Sequence, residues 1–324
     1  MRNVATIPHE PNMKFPRYLD KLYTNEQGTK GNDFIRLYGM REFLRNAANC
    51  KRKEMAQFLN VDVKRLNYWI GESKRDVGIP IYHALKLVKF IGADKDELFD
   101  KAIWFGCTNS RQYTLPKFLT PRLAYLLGYI MGDGHLANPK NLISNGSTYN
   151  AEIRITGDNI AHLIFLRKIF KELFNYSPPI FKEKNFYRLI GRSKVIHLFL
   201  TKVCGMPVGS KKNKTCMPSI IKINFLKKLF LSGLFDADGT IHIGGNKQPY
   251  IRIKQHNKRL LKECAHIFHD NGIKVSGIYT DKGFRNGTKT VNYVLIIYRK
   301  EEIEKFIRQF FSLKVQEVMA SQMT

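Results

Sequence analysis

Two copies of one short motif constrain the fold more than any other feature of this sequence. The stretch LSGLFDADG at Leu231–Gly239 has a weaker second copy, LLGYIMGDG, at Leu126–Gly134. Each copy is predicted to form an apolar helix that ends on an acid followed by a glycine. Small residues recur four positions apart in each copy, at Gly128 and Gly132 and at Gly233 and Ala237. That spacing places them on one helical face, so the two helices are predicted to pack almost backbone to backbone.

An acid occupies the last turn of each predicted helix, Asp133 in the first copy and Asp238 in the second. The C-terminal end of a helix carries partial negative charge, which makes it an unfavourable place for a carboxylate. If the two helices pack side by side, the carboxylates also repel each other, and a divalent cation between them reverses the sign of that interaction. We therefore predict that Asp133 and Asp238 are metal ligands. The glycines that follow them, Gly134 and Gly239, are predicted to form left-handed helix caps.

Both motifs resemble those of the LAGLIDADG homing endonucleases. The copy at Leu231–Gly239 fits the family pattern at nearly every position, whereas the copy at Leu126–Gly134 departs from it at Met131, where the family often has a second acid. The resemblance runs from Phe118 to about Lys314. It implies an α+β fold of two pseudo-symmetric αββαββα repeats, whose sheets form a saddle for double-stranded DNA. It also implies phosphodiester hydrolysis with Mg²⁺ as the cofactor and Mn²⁺ as a substitute.

The resemblance further implies polar and basic residues around the metal. The strand end RIKQHN resembles the family segment that carries a water-contacting glutamine, which indicates Gln255; the first repeat has Gly157 at that place. The segment GMPVGSKKNK resembles the one that carries a catalytic lysine, and either Lys211 or Lys212 fits. In the second repeat Lys314 offers a weaker match. For any one of these lysines, contact with a DNA phosphate without a part in the chemistry is an equally good interpretation.

The first third of the chain is predicted as an all-α helix-turn-helix domain, without a catalytic or metal-binding cluster. Residues 54–70 fit two short helices joined by a turn at Asn60 and Val61. The positions predicted to be buried are Met55, Ala56 and Leu59 in the first helix and Val63, Leu66 and Ile70 in the second. The residues predicted to face DNA are Lys64, Arg65, Asn67 and Tyr68. The helices that follow resemble the closing helices of Cro/C1-type domains, which favours DNA binding over a generic helical bundle.

The order of the predicted elements divides the chain into five segments. They are an irregular N-terminal arm at 1–30, the helix-turn-helix domain at 31–103, a linker at 104–117, the first repeat at 118–219 and the second repeat at 220–324. Because the two repeats lie in one chain, we expect a monomer with internal pseudo-two-fold symmetry.

The charge balance indicates a polyanionic partner. The 324 residues carry a formal net charge of +27 and a sequence pI of about 9.9, and an excess of this size points most often to nucleic acid. Alternation along the predicted strands places basic side chains on one face, and those predicted to contact double-stranded DNA are Arg154, Arg252 and Lys254. The five cysteines include no C-x-x-C pair, and no signal peptide or membrane-length apolar run is visible. We therefore expect an intracellular protein without a membrane partner.

Three functions are compatible with the sequence. The first is a site-specific double-strand DNA endonuclease, the second a non-catalytic DNA-binding transcriptional regulator, and the third an intron-splicing maturase; the resemblance covers all three. Retention of both acids favours the endonuclease over the regulator, since binding alone gains nothing from an acid pair. Met1 is not a nucleophile and the end SQMT lacks a His-Asn pair, so we expect a free-standing or intron-encoded protein rather than an intein.

Overall fold

The structure, a computed structural model, is an α+β fold, as predicted. It describes residues 13–14, 22, 35–48, 51–71, 76–107, 110–137, 151–211, 214–243, 248–285 and 288–321. Within these residues no helix is both long enough and apolar enough to cross a bilayer.

The N-terminal unit is mainly helical and also contains a small sheet. Its elements are β2 (Arg36–Tyr38), α1 (Arg41–Ala48), α2 (Arg52–Leu59), α3 (Val63–Ile70), β3 (Ile79–Pro80), α4 (Ile81–Ile91), α5 (Lys95–Lys101) and β4 (Trp104–Gly106). The strand order is β3-β2-β4, with both pairings antiparallel. The sheet is absent from the all-α prediction because strands of two or three residues are too short to show an alternating pattern. Leu37 and Phe105 face each other across β2 and β4 and are both buried, so the sheet closes one side of the helical core.

Two short strands lie in segments that the sequence predicted to be irregular. Strand β4 lies inside the segment predicted as a linker and completes the N-terminal sheet. The segment predicted as an irregular arm contributes β1 (Met13–Lys14), which pairs antiparallel with β5 (Phe118–Leu119) at the start of the first repeat.

Helices α2 and α3 follow the predicted helix, turn and helix closely. Asn60 ends α2 in the left-handed conformation, with φ 52°, and the Asp62 side chain accepts the backbone N–H of Lys64 to begin α3. The residues predicted to be buried are buried, with one exception: Val63 is 38% exposed. Val63 is the first residue of α3, before the helix has turned toward the core, and Trp69 is buried in the last turn instead.

The two motif helices form the centre of the molecule. They are α6 (Pro121–Asp133) and α9 (Asn224–Asp238). A Cβ added at Gly128 would overlap the carbonyl oxygen of Phe230, and one added at Gly233 would overlap the carbonyl oxygen of Tyr125. These reciprocal contacts confirm that the helices pack backbone to backbone about a pseudo-two-fold axis.

The glycines that end these helices do not form the predicted left-handed caps. Gly134 and Gly239 both have φ −85° and ψ 158°, an extended conformation. The chain passes directly from each helix into a strand, so no reversal is needed. A Cβ at Gly134 would lie 2.6 Å from the carbonyl oxygen of Ile130, and one at Gly239 would overlap the Phe235 ring. Lack of space, rather than backbone conformation, therefore requires glycine at both positions.

Each motif helix leads into a four-stranded antiparallel sheet. The first contains β6 (Gly134–Leu136), β7 (Glu152–Gly157), β8 (Ile180–Lys182) and β9 (Tyr187–Arg192), in the order β6-β7-β9-β8. The second contains β10 (Gly239–His242), β11 (Tyr250–Gln255), β12 (Gly277–Arg285) and β13 (Thr288–Ile297), in the order β10-β11-β13-β12. Gly134 pairs with Ile155 and Gly239 pairs with Ile253. This register makes Ile155 the counterpart of Ile253, and it fixes the correspondence of every other position along β7 and β11.

The remaining helices cover the sheets and complete the predicted repeat order. They are α7 (Ile160–Phe174), α8 (Lys194–Leu198) with a following π-helical turn (Phe199–Val203), α10 (Lys258–Asp270), α11 (Lys300–Gln309) and α12 (Leu313–Ser321). Helix α12 contacts the first repeat, because its Glu317 carboxylate lies 3.0 Å from Nε2 of the buried His162 at the start of α7. The last helix of the second repeat thus joins the two halves.

Candidate functional site

The two predicted metal ligands meet at the C-terminal ends of the packed helices. A Cβ at Gly132 would lie 2.8 Å from Oδ2 of Asp238, so the end of α6 directly abuts the Asp238 carboxylate. Burial, and then the charge of Asp238, raise the pKa of Asp133 to about 6. Burial likewise raises the pKa of Asp238. Burial therefore opposes the charged form of both acids, and at Asp133 the charge of Asp238 adds to this effect.

Two lysines bind the carbonyl groups at the same helix ends. Nζ of Lys211 donates to the carbonyl oxygens of Ile130, Met131 and Gly132, at 2.9, 2.9 and 2.5 Å. Nζ of Lys314 donates to the carbonyl oxygens of Ala237 and Gly239, at 2.9 and 2.8 Å. Each ammonium group thus caps a negative helix end beside an aspartate. Burial lowers the pKa of Lys211 to about 8, against the opposing effects of Asp238 and Asp133.

The structure places Lys211 in the centre, whereas Lys212 lies outside the described residues. All three N–H donors of Lys211 are taken by carbonyl oxygens in this structure. Its positive charge, rather than a free donor, is therefore what Lys211 offers the two acids.

Gln255 contacts one of the acids and has no equivalent in the first repeat. Its Nε2 donates to Oδ2 of Asp238 at 2.5 Å. The strand register makes Gly157 its counterpart, which has no side chain to offer. A Cβ at Gly157 would lie 3.6 Å from the hydroxyl oxygen of Tyr129, a buried residue one turn before Asp133. Burial, and then the charge of Asp133, raise the pKa of Tyr129, so its hydroxyl stays protonated beside that acid.

Asp236 is a structural acid that the sequence analysis did not assign. Its carboxylate accepts the hydroxyl groups of Tyr125 and Ser312 at 2.8 and 2.5 Å. It also accepts the backbone N–H groups of Leu313 and Lys314 at 2.8 and 3.1 Å, at the N-terminus of α12. Asp236 therefore anchors the turn that carries Lys314. The signal available in the sequence was an acid on the buried face of an apolar helix, where the other copy has Met131.

The donor set fits Mg²⁺ or Mn²⁺ held mainly by water. Among the described residues, no group of three or more histidine, cysteine or acidic side chains converges on one point. A pair of carboxylates is nevertheless sufficient for Mg²⁺, which usually keeps several waters and takes one or two protein carboxylates. The raised pKa values of Asp133 and Asp238 are in the direction that a bound cation would oppose.

The acids lie in a cleft that continues along the second sheet. Besides the two acids, its lining includes Thr240, Arg252, Lys254, Asp281, Thr290 and Asn292. The side chains of Arg252 and Lys254 alternate with buried isoleucines on β11 and are exposed. Nζ of Lys254 lies 2.5 Å from the Asp281 carboxylate on β12. Arg154 has the same outward position on β7.

The predicted DNA-facing residues of the N-terminal unit lie on α3, on a different part of the fold from the acids. Lys64, Arg65 and Tyr68 are exposed, as predicted. Asn67 is only partly exposed, and its buried Oδ1 has no hydrogen-bond partner among the described residues. Its amide is therefore less accessible than the prediction assumed.

Comparison with known proteins gives matches that each cover only part of this chain. Three curated proteins of Methanocaldococcus jannaschii are each similar to about 200 residues of this chain. Glutamine–fructose-6-phosphate aminotransferase is 26% identical over 193 residues, 59% of this chain and 16% of that protein. The replication factor C small subunit is 30% identical over 202 residues, 58% of this chain and 9% of that protein. A DNA polymerase is 25% identical over 193 residues, 56% of this chain and 11% of that protein. The chain thus spans less than a fifth of the length of each of these relatives.

Among solved structures, the chain is similar to the homing endonuclease I-DmoI in complex with DNA and Mn. The identity is 24%, the match covers 59% of this chain and 96% of that chain, and the TM-score is 0.43. It is also similar to full-length DUF199/WhiA from Thermatoga maritima, with 18% identity, coverage of 62% of this chain and 58% of that chain, and a TM-score of 0.41. Residues 226–310, which hold most of α9 and the whole second sheet, match the family model of the LAGLIDADG-like domain.

Proposed function

We propose that this protein is a site-specific double-strand DNA endonuclease that requires a divalent metal ion. The observation that carries the proposal is the pair of carboxylates, Asp133 and Asp238, at two negative helix ends that pack together. Such a pair is unfavourable to folding, and a divalent cation between the acids would reverse the sign of their interaction. The domain match over residues 226–310 and the net charge of +27 support the same conclusion.

Different residues of the chain have different roles in the proposed hydrolysis. Asp133 and Asp238 would hold Mg²⁺ or Mn²⁺, which supplies charge stabilisation at the phosphate and activation of water. Gln255 fixes the Asp238 carboxylate through its amide. Lys211 and Lys314 bring two positive charges to the helix ends and so offset the negative charge of the scissile phosphate. Arg252 and Lys254, on the wall of the cleft, bind the duplex.

The three curated relatives support an inserted module over any of their named activities. An aminotransferase, a replication factor subunit and a DNA polymerase have no chemistry in common, yet each is similar to about 200 residues of this chain. Similarity to parts of such unrelated proteins fits a mobile unit inserted into them, as expected if the endonuclease cuts DNA and repair of the cut copies its coding sequence. We propose that the chain acts as a monomer, because it supplies both acids, and that Lys64, Arg65 and Tyr68 extend its contact with DNA.

Cleavage of a randomised double-stranded DNA library tests the proposal. In Mg²⁺ or Mn²⁺ the wild-type protein should cut a small set of related sequences, and excess EDTA should abolish cutting. Asp133→Asn and Asp238→Asn should bind the recovered sites at least as tightly as the wild type and leave both strands intact. The control variant Asp270→Asn changes an exposed acid on α10 and should cut normally. Normal cutting by either motif variant, or by the wild type in EDTA, contradicts this function.

A non-catalytic DNA-binding regulator is the second candidate. The polar shell of the first repeat favours it, because Gly157 and Met131 replace the glutamine and the second acid of the other repeat. This candidate predicts selective binding to a defined DNA sequence with no strand cut under any metal condition, so the same library experiment separates the two functions.

A further inference from the structure

One arginine occupies the same position in both sheets. Arg154 lies on β7 between Ile153 and Ile155, and Arg252 lies on β11 between Ile251 and Ile253. Arg154 is paired with His135 of β6, and Arg252 with Thr240 of β10, in each case one residue beyond the motif glycine. The two side chains are therefore related by the pseudo-two-fold axis and point outward from the central part of each sheet.

In the first repeat a buried carboxylate holds this arginine. Glu152, two residues earlier on the same strand face, accepts Nε of Arg154 at 2.9 Å and also accepts its Nη2. Glu152 is only 8% exposed, whereas the Arg154 side chain is 40% exposed. One edge of the guanidinium is thus occupied, and no described residue takes a hydrogen bond from Nη1. Nη1 and the second N–H of Nη2 are therefore donors that Glu152 does not occupy.

In the second repeat an aromatic ring holds the equivalent arginine. Tyr250 stands where the first repeat has Glu152, and the Arg252 guanidinium lies 5.6 Å from the centre of its ring. Tyr250 is itself stacked on His242 of β10, with ring centres 5.6 Å apart. A cation–π contact of this kind restrains the guanidinium without using any of its N–H donors. Two different neighbours therefore have the same effect on two equivalent side chains.

A restrained arginine on the outward face of a strand suits recognition of a base. Its planar fork matches O6 and N7 of guanine in the major groove, which is wide enough to admit a two-stranded ribbon. The Glu152 carboxylate also makes the first site a poor one for a phosphate, because it neutralises the arginine and repels the anion. The edge of a neutral base pair carries no such penalty.

We infer that Arg154 and Arg252 each read one guanine of the target DNA, with Glu152 and Tyr250 as positioning residues. The pseudo-two-fold axis relates the two contacts, so the two G·C pairs lie at equal distances on either side of the centre of the site, with the guanines on opposite strands. This inference rests on the part of the proposed function that has both sheets bind a specific duplex.

Selection of bound sequences from a randomised duplex pool tests the inference. The selection is done in Ca²⁺, which permits binding with little cutting. Wild-type sites should carry the two symmetric G·C pairs. Arg154→Ala should lose the preference at one of them and keep the other, and Arg252→Ala should do the reverse. At the affected position, discrimination against other bases should fall by about ten- to a hundredfold.

Matched controls separate base reading from phosphate contact. Arg192, on the neighbouring strand β9, has a side chain that is 74% exposed and reaches Glu152 only at 4.0 Å. Arg192→Ala should weaken binding to all sequences alike and leave both preferences intact. Tyr250→Leu should relax the preference at the Arg252 position. Tyr250→Phe keeps the ring and should therefore keep the wild-type preference. Glu152→Gln should relax only the Arg154 position. Retained thermal stability of each variant excludes unfolding as the cause.

Three results overturn the inference. Selected sites without symmetric G·C pairs would refute it while leaving sequence-specific binding in place. Uniform weakening by Arg154→Ala and Arg252→Ala, as for Arg192→Ala, would make both side chains phosphate contacts. A wild-type protein that selects no sequence at all would overturn this inference together with the proposed function.

Discussion

The Asp236 carboxylate accepts the backbone N–H of Lys314 at 3.1 Å, although one residue lies in α9 and the other at the start of α12. The side chain of Lys314 then turns back to the carbonyl oxygens of Ala237 and Gly239, on either side of Asp238. The first acid of the second motif thus holds the lysine that stands beside the second acid. In the first repeat Met131 replaces this acid, and Lys211 reaches the end of α6 from a loop instead.

Asp236→Asn should destabilise the protein, because an amide offers one acceptor oxygen where the carboxylate serves four donors. The buried hydroxyl and N–H groups left without partners should reduce the free energy of unfolding by about 1–3 kcal/mol. Urea denaturation followed by circular dichroism measures this change. Asp270→Asn, at an exposed position, provides the control and should stay close to the wild type. Equal stability of the two variants would show that Asp236 does not anchor α12.

Gly128→Ala and Gly233→Ala should each separate the central helices, because the new methyl group would overlap a backbone carbonyl that has no freedom to rotate away. Overpacking of a tight core typically costs about 1–3 kcal/mol, and a clash with backbone lies at the upper end of that range. Gly157→Ala is the matched control, since its Cβ would meet no atom closer than 3.6 Å. Denaturant titration of the three variants should therefore rank Gly157→Ala as the most stable. A different ranking contradicts the close packing of the two helices.

Divalent metal should stabilise the wild-type protein through the two acids. The melting temperature should rise with Mg²⁺ concentration, because the ion binds the folded chain alone. Without metal, Asp133→Asn should melt a few degrees above the wild type. The raised pKa of Asp133 means that its ionised form opposes folding at neutral pH, and the amide removes that charge. The variant should also lose most of its response to Mg²⁺, and an unchanged response would remove Asp133 from the metal site.

The two DNA strands should be cut at different rates, because Gln255 supports only Asp238 and Gly157 supplies no equivalent to Asp133. A nicked intermediate should accumulate on a supercoiled plasmid that carries the site. Gln255→Ala should slow one strand more than the other, and a lost hydrogen bond of about 1–3 kcal/mol corresponds to roughly a tenfold to hundredfold change in rate. A time course with each strand labelled separately measures both rates. Equal rates that Gln255→Ala leaves in balance would show that this asymmetry has no catalytic meaning.

The N-terminal unit should lose stability in mild acid because of His83. Its ring packs between Trp69 and Tyr82, and burial, followed by the charges of Arg65 and Lys86, lowers its pKa to about 4. In the unfolded chain His83 takes up a proton near pH 6.5, whereas in the folded chain it does so only near pH 4. Stability is therefore lost as the pH falls from about 6.5 to 4. The two tryptophans of the chain, Trp69 and Trp104, both lie in this unit, so their fluorescence follows its unfolding.

His83→Phe keeps an aromatic ring without the titrating group and should flatten this dependence. The quantity to compare is the difference in urea midpoint between pH 7 and pH 5, for the wild type and for the variant. The same difference in both proteins would assign the acid sensitivity to other groups.

The sequence by itself determined the repeat. Two apolar helices with small residues four apart, each followed by strands with alternating burial, were sufficient to predict the α+β fold, the tight helix pair and the proximity of Asp133 and Asp238. These features follow from local periodicity and from steric size, both of which are properties of residues a few positions apart. Alternation along a strand also identified the outward basic residues of β7 and β11, because it fixes the side on which each residue lies. Gln255 was indicated only by the resemblance of its segment to the homing endonuclease family.

Only the tertiary structure decided which residues, distant in sequence, contact the motif helices and the acids at their ends. The four hydrogen bonds of Asp236, the capping of α6 by Lys211 and the extended conformation of Gly134 all depend on segments brought together across the chain. The small N-terminal sheet was missed for the same reason, since Leu37 and Phe105 are far apart in sequence and each lies in a strand of three residues. The local sequence allows several conformations or partners for a buried acid, for a short strand and for a glycine that precedes a strand. Packing against residues that are remote in sequence selects one of them. Arg154 and Arg252 are held by different neighbours, a carboxylate in one repeat and an aromatic ring in the other. Their equivalence followed only from the register of the two sheets.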